Sequence, residues 1–181
     1  MTPNAATLSG YVNKTFTLNK NLYHPHSAGA PIVKAFEATV DTGGGLEVKA
    51  GSGTGFWVPY IEGKAVVGFN PGGKTWVASG PFSGCIFSVG KDSSGKIYAA
   101  HIAVQSGSTG PADWDAYRSA NKLTTWYENK IPLPSDTFFS GAYIFACFGS
   151  DGLTSLTRVD VNTGSQMGGS NGTIFNVKKF K

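Results

Sequence analysis

Charged side chains are scarce in this chain. They make up 14% of its 181 residues, against about 25% in an ordinary globular domain. With so little Glu, Lys and Ala, coiled coils and helical bundles are not expected. Cysteine is scarcer still. Cys85 and Cys147 are the only two, too few for a disulfide scaffold or an all-cysteine zinc site, and both are expected as free thiols. Arginine is limited to Arg118 and Arg158 among 15 basic residues. The bidentate phosphate and guanine contacts that favour Arg are therefore few, and the net charge of +4 reads as solubility rather than as a nucleic-acid surface. No apolar run approaches the roughly 18 residues of a membrane helix, so no membrane association is expected. The opening MTPNAATLSGYVNKTF has no basic stretch followed by an apolar one, and an ordinary secretory signal is not expected either.

Glycine and aromatic residues are what the chain has in quantity. Its 25 glycines are about twice the usual ~7%, and the 13% of aromatic residues supplies buried area to offset chain entropy. Short apolar stretches rich in Val, Ile and Phe alternate with Gly, Asn and Asp turns. Strands are expected near 31–41, in GLEVKAG, TGFWVPYIEG and KAVVGF, on both sides of the Ser83–Gly84 turn, in KIYAAHIAVQ, and in three late segments, SGAYIFACFGS, LTSLTRVDVNT and GTIFNVKKF. One segment has helical spacing. Ala112, Ala116, Ala120, Leu123 and Tyr127 recur along one face, Pro111 suits a first helical residue, and Pro132 and Pro134 end the pattern. The expected class is α+β, mainly β: an antiparallel β-sandwich core with one main helix at about 111–129 and long loops. There is no repeat and no linker, so residues 1–181 read as a single domain.

Three groups of residues invite chemistry. Gly68, Gly73, Lys74 and Thr75 in GFNPGGKT match the letters of a phosphate-binding loop. That loop works only when a helix starts at the lysine, and TWVASGPFSG does not continue as one, so a glycine-rich hairpin turn is expected. His24 and His26 flank Pro25 with no carboxylate or cysteine nearby in sequence, which reads as a loop and not a metal site. The third group is Cys85 with His101. If the intervening KDSSG forms a hairpin turn centred on Ser93, Cys85 stands directly across from His101, with Cβ atoms roughly 4.5–5.5 Å apart. Imidazole and thiol at that separation suit nucleophilic catalysis. Gly84 gives the backbone freedom beside the thiol, and amides near Gly84 and Cys85 can face an oxyanion. On spacing alone, a buried cysteine beside a structural histidine in a sandwich core explains the pair slightly better.

The run Ser83-Gly84-Cys85, an apolar strand, a polar turn, a strand ending at His101 and then a tryptophan-containing helix resembles the cysteine glutamine deamidases. That superfamily includes the Burkholderia lethal factor type, the catalytic domains of cytotoxic necrotizing factors and the chemotaxis deamidases. The resemblance spans about residues 76–130 and is closest to the lethal factor type. Ser79 stands six positions before the cysteine, where the family carries a threonine, and Phe82 stands where the motif carries Leu. The resemblance implies a catalytic set of Cys85, His101 and Ser79, with Ser83 and Gly84 at the oxyanion turn. It also implies conversion of a protein glutamine to glutamate through a thioester, with no cofactor and no metal. The implied partner is a host protein carrying the target glutamine, of the small GTPase or translation factor class. The implied setting is a monomeric toxin or effector, exported without a conventional signal and acting in host cytosol. A transglutaminase or cysteine protease would use the same dyad. A non-catalytic β-sandwich module binding carbohydrate or protein would use Trp57, Trp76, Trp114 and Trp126 instead. Cys147, in the apolar run YIFACFG, is expected to be a core thiol.

Overall fold

The structure, a computed structural model, describes residues 1–22, 30–134, 140–164 and 171–181. Two short helices accompany thirteen strands in this order: α1 (Ala5–Leu8), β1 (Thr15–Leu18), β2 (Ile32–Val33), β3 (Phe36–Asp41), β4 (Leu46–Ala50), β5 (Gly55–Pro59), β6 (Ala65–Phe69), β7 (Trp76–Phe82), β8 (Ile86–Lys91), β9 (Ile97–Ile102), α2 (Gly110–Ala120), β10 (Thr124–Lys130), β11 (Ser140–Gly149), β12 (Gly152–Asn162) and β13 (Asn171–Lys179).

The mainly β class holds, but the architecture is not an antiparallel sandwich. Eight strands close a barrel in the order β1-β13-β12-β11-β7-β5-β3-β4, and five form a second sheet in the order β10-β8-β9-β6-β2. Three neighbour pairs are parallel: β1 with β4, β5 with β7, and β2 with β6. Parallel neighbours carry no hairpin turn between them, so the sequence has no local mark of the closure. The four-residue β1 is the decisive piece. It hydrogen-bonds β13 on one side and β4 on the other, and so removes both edges of the sheet.

The alternation of side chains sorts the core into layers. Phe16, Leu18, Val48, Trp57, Trp76, Tyr143, Phe145, Val159 and Ile174 fill the barrel, with Leu8 of α1 packed among them. The opposite faces of β5, β7 and β11 (Phe56, Val58, Val77, Ala142, Ile144 and Ala146) pack against Phe87, Val89 and Ala99 of the second sheet. The far face of that sheet, with Val67, Tyr98, Ala100 and Ile102, is covered by Trp114 of α2. A strand buried on both faces reads as a continuous apolar run, which is why AYIFACF shows no polar alternation.

Three expected elements differ. The helix stops at Ala120, where Lys122 takes a left-handed φ of 51° and the chain re-enters as β10. Thr124, Thr125, Trp126 and Tyr127 are β-branched and aromatic, and they pair with β8 instead of extending the helix. The expected strand at 31–41 is two strands, β2 in the second sheet and β3 in the barrel. GFNPGGKT is a glycine-rich turn without a following helix, but not a hairpin, because β6 and β7 lie in different sheets. There Asn70 Oδ1 accepts from the Gly72 and Lys74 amides, and Lys74 Nζ bonds Glu37. His24 and His26 lie outside the described residues.

Candidate active site

The β8–β9 hairpin turns on three residues, Ser93 to Gly95, between the paired Asp92 and Lys96. Asp92 Oδ1 accepts from the amides of Ser94 and Lys96, and Gly95 takes a φ of 86°. This is a type I turn followed by a left-handed glycine, a common three-residue hairpin loop. Its centre is Ser94, not Ser93. Phe87 therefore stands opposite His101, and Ile86 opposite Ile102. Cys85 is not directly across from the histidine as expected. It sits at the diagonal position, roughly 7–8 Å at Cα in a regular ladder. Because the slip is by two residues, the side-chain face is kept. Cys85 belongs to the buried cluster between second sheet and barrel, alongside Phe87, Ala99 and Ala103.

Ser79 approaches from the barrel side. It sits on β7 beside Val58 of the parallel β5, on the outer face of the barrel wall. Its Oγ donates to the Val58 carbonyl at 2.7 Å and contacts His101 Nδ1 at 2.9 Å. These two bonds determine the imidazole tautomer. A hydroxyl has one proton, and the Val58 carbonyl can only accept. The Ser79 proton is thus on the bond to Val58, so His101 Nδ1–H donates to Ser79 Oγ. His101 Nε2 then carries a lone pair, and it is buried without a hydrogen-bond partner.

The ring is held as well as oriented. Phe82 stacks on it at 3.9 Å between centroids and 8° between planes, and Tyr60 lies against it at 5.1 Å. His101 is only 1% exposed. That burial lowers its pKa to about 3, so the imidazole is neutral at any ordinary pH.

The turn that carries Cys85 is built against the end of β10. Gly84 N–H donates to the Ile131 carbonyl and Ile131 N–H donates to the Cys85 carbonyl, both at 2.9 Å. Gly84 takes a φ of 122°, a conformation that favours glycine. The same bond occupies the Gly84 amide, so the expected oxyanion contribution from that amide is not available. The amides that act on the Cys85 sulfur are those of Ser83 and Val104. The thiol itself is pushed up by burial, with the Val104 amide, the Lys130 ammonium and the Ser83 amide opposing. Cys85 and His101 therefore rest as thiol and neutral imidazole, not as a preformed ion pair. Cys85 opens on a cleft of about 380 Å³ lined by Tyr60, Glu62, Ser83, Gly84, Val104, Gln105 and Lys130.

Cys147 is unlike Cys85. It points into the barrel core, 3.7 Å from the Pro3 carbonyl, and burial also raises its pKa. Both cysteines are free. Among the described residues, no group of three or more His, Cys, Asp or Glu side chains is placed to hold a metal.

The residues that sequence reasoning missed come from strand ends. Tyr60 and Glu62 follow β5, Val104 and Gln105 follow β9, and Lys130 ends β10. Each lies far from Cys85 in sequence, and only the pairing of the two sheets brings them together.

No family model matches the chain, and no curated protein matches it. Among solved structures, the chain is similar to the C-terminal domain of CNFy from Yersinia pseudotuberculosis, with 12% identity and a TM-score of 0.36 over 81% of this chain and 72% of that one.

Proposed function

We propose that this chain is a protein glutamine deamidase, with Cys85 as nucleophile, His101 as general base and acid, and Ser79 as the residue that orients the imidazole. The observation that carries this reading is the bonding at His101. Nδ1–H is held by Ser79, itself held by Val58, which leaves Nε2 as an unpartnered lone pair on the face that Cys85 shares. An orphaned buried acceptor costs about 1–3 kcal/mol, and such a cost is characteristic of a functional site.

The chemistry follows from these protonation states. Cys85 Sγ bonds to the carboxamide carbon of a glutamine side chain, and the thiol proton passes to His101 Nε2. Burial disfavours both a free thiolate and a free imidazolium, so proton transfer accompanies C–S bond formation instead of preceding it. The oxygen of the tetrahedral intermediate takes the negative charge, and the Ser83 and Val104 amides beside the sulfur are the donors proposed for it. Nε2–H then protonates the nitrogen, the C–N bond breaks and ammonia leaves, giving a thioester. Water adds to the thioester and gives a proton to Nε2. The C–S bond breaks, the carboxylic acid departs and the Nε2 proton returns to sulfur; the acid then ionises in water. The net reaction is amide plus water to acid plus ammonia, without a cofactor. Cys85 and Nε2 do not hydrogen-bond in the resting state, and such contacts often tighten only when substrate is bound.

The substrate proposed is a glutamine on a folded host protein, reached by an exported effector. The product carries one added negative charge, enough to disturb an interface or a switch. The test is a host-cell lysate incubated with the protein or with Cys85→Ala and read by peptide mass spectrometry. A glutamine converted to glutamate by the parent and not by the variant supports the reading. Equal conversion by both overturns it. Addition of a primary amine separates deamidation from transglutamination, and new peptide termini would indicate proteolysis.

A further inference from the structure

Two formal charges line the cleft beside Cys85, Glu62 and Lys130. Lys130 is the better placed. It is the last residue of β10, paired with Ile86 at the start of β8. The next residue, Ile131, forms the two backbone bonds that fix Gly84 and Cys85. The turn at Gly84 and Cys85 is therefore tied by backbone bonds to the residue that follows Lys130. That side chain lies along Gly84, with Cε 3.6 Å from where a Cβ on the glycine would stand. Lys49, Lys74, Arg118 and Arg158 are ion-paired, whereas no carboxylate among the described residues pairs with Lys130.

We propose that Lys130 is a positioning residue for the nucleophile, its ammonium favouring the thiolate of Cys85 through the field across the cleft. The proposal rests on Cys85 being the nucleophile of the deamidase reading. The other groups facing the sulfur do not supply this charge. His101 on β9 is neutral, Tyr60 after β5 is a phenol whose pKa burial raises further, and Glu62 acts on Tyr60. Among the described residues that line the cleft at Cys85, Lys130 is the one cation. A cation at this position opposes the burial that otherwise disfavours a sulfur anion, and it does so while the thiol proton moves to His101 Nε2.

The experiment is the pH dependence of Cys85 alkylation by iodoacetamide, mapped by mass spectrometry on the full chain. It compares the parent with Lys130→Gln, Lys130→Met and Lys130→Arg. Removing the charge should raise the titration midpoint by about half a unit to one unit and slow alkylation at neutral pH roughly 3- to 10-fold, with the limiting rate at high pH unchanged. Lys130→Arg should restore the parent profile, and high salt should shrink the difference. A merely structural role would change the melting temperature or the limiting rate and leave the midpoint in place. Neutral variants that superimpose on the parent, or an arginine variant that does not restore it, overturn the inference. The two readings fail separately. Retained amide hydrolysis in Cys85→Ala removes the deamidase reading, whereas an inactive Cys85→Ala beside unshifted Lys130 variants removes only the role of Lys130.

Discussion

Acidification from pH 8 to pH 5 should destabilise this protein through His101, by an amount that follows from its burial. The imidazole titrates at about 3 in the folded chain and near 6.5 in the unfolded one. The unfolded state therefore binds a proton that the folded state refuses. The stability linked to this group is full above pH 6.5, falls as pH drops through that value, and stops falling near pH 3, where the folded imidazole is protonated too. At pH 5 the loss is about 1.5 pKa units, or about 2 kcal/mol. Asp41 and Asp92 have pKa values lowered by bonds to Lys49 and Ser94, so their contributions are lost only at lower pH. The assay is urea unfolding at pH 8 and pH 5 for the parent and for His101→Gln. The variant is less stable at both values, because it loses the stack on Phe82, but it should lack this part of the pH dependence. A parent loss exceeding that of the variant by about 2 kcal/mol supports the buried neutral imidazole. Identical pH dependence in the two proteins would refute it.

Other substitutions test the surroundings. Ser79→Ala leaves His101 Nδ1–H without its acceptor and should cost about 1–3 kcal/mol in chemical unfolding, together with most of the amide-hydrolysing activity. Ser79→Thr keeps the hydroxyl and should retain both. Gly84→Ala meets ordinary contact with Lys130, but its φ of 122° is unfavourable for alanine. The loss of stability should be of order 1–3 kcal/mol, with activity falling further as the nucleophile turn shifts. Cys147→Ser places a hydroxyl in the barrel core and should lower the melting temperature with activity preserved, whereas Cys85→Ser should leave folding intact and abolish activity.

The parts of the fold visible in the sequence are those set by local pattern. The strands β4 to β9 and β11 to β13 announce themselves by apolar runs between glycine and asparagine turns. The turn at GFNPGGKT was readable because β-branched and glycine residues after Lys74 forbid the helix that phosphate binding needs. What could not be read is set by distant pairing. Thr15–Leu18 is too short to stand out, yet it closes the barrel. Residues 124–130 share helical spacing with 112–123, and their pairing with β8 decides in favour of a strand. The candidate site divides in the same way. Cys85 and His101 follow from one hairpin, with an error of two residues in register that happens to preserve the face. Ser79 entered through a family resemblance. The hydrogen bonds through Val58 that give it a role depend on β5 lying parallel to β7, which no local pattern marks. Tyr60, Gln105 and Lys130 reach the cleft from three separate strand ends.

The chemistry at His101 turns on a single proton. The bonds from His101 to Ser79 and from Ser79 to Val58 place that proton on Nδ1 and leave Nε2 bare. Nitrogen NMR of imidazole-labelled protein, with His101 assigned through His101→Gln, reads the tautomer directly. The expected result is a neutral ring protonated at Nδ1, with an unprotonated Nε2 and no titration between pH 5 and pH 8. A proton on Nε2, or a ring that titrates near pH 6.5, would contradict it.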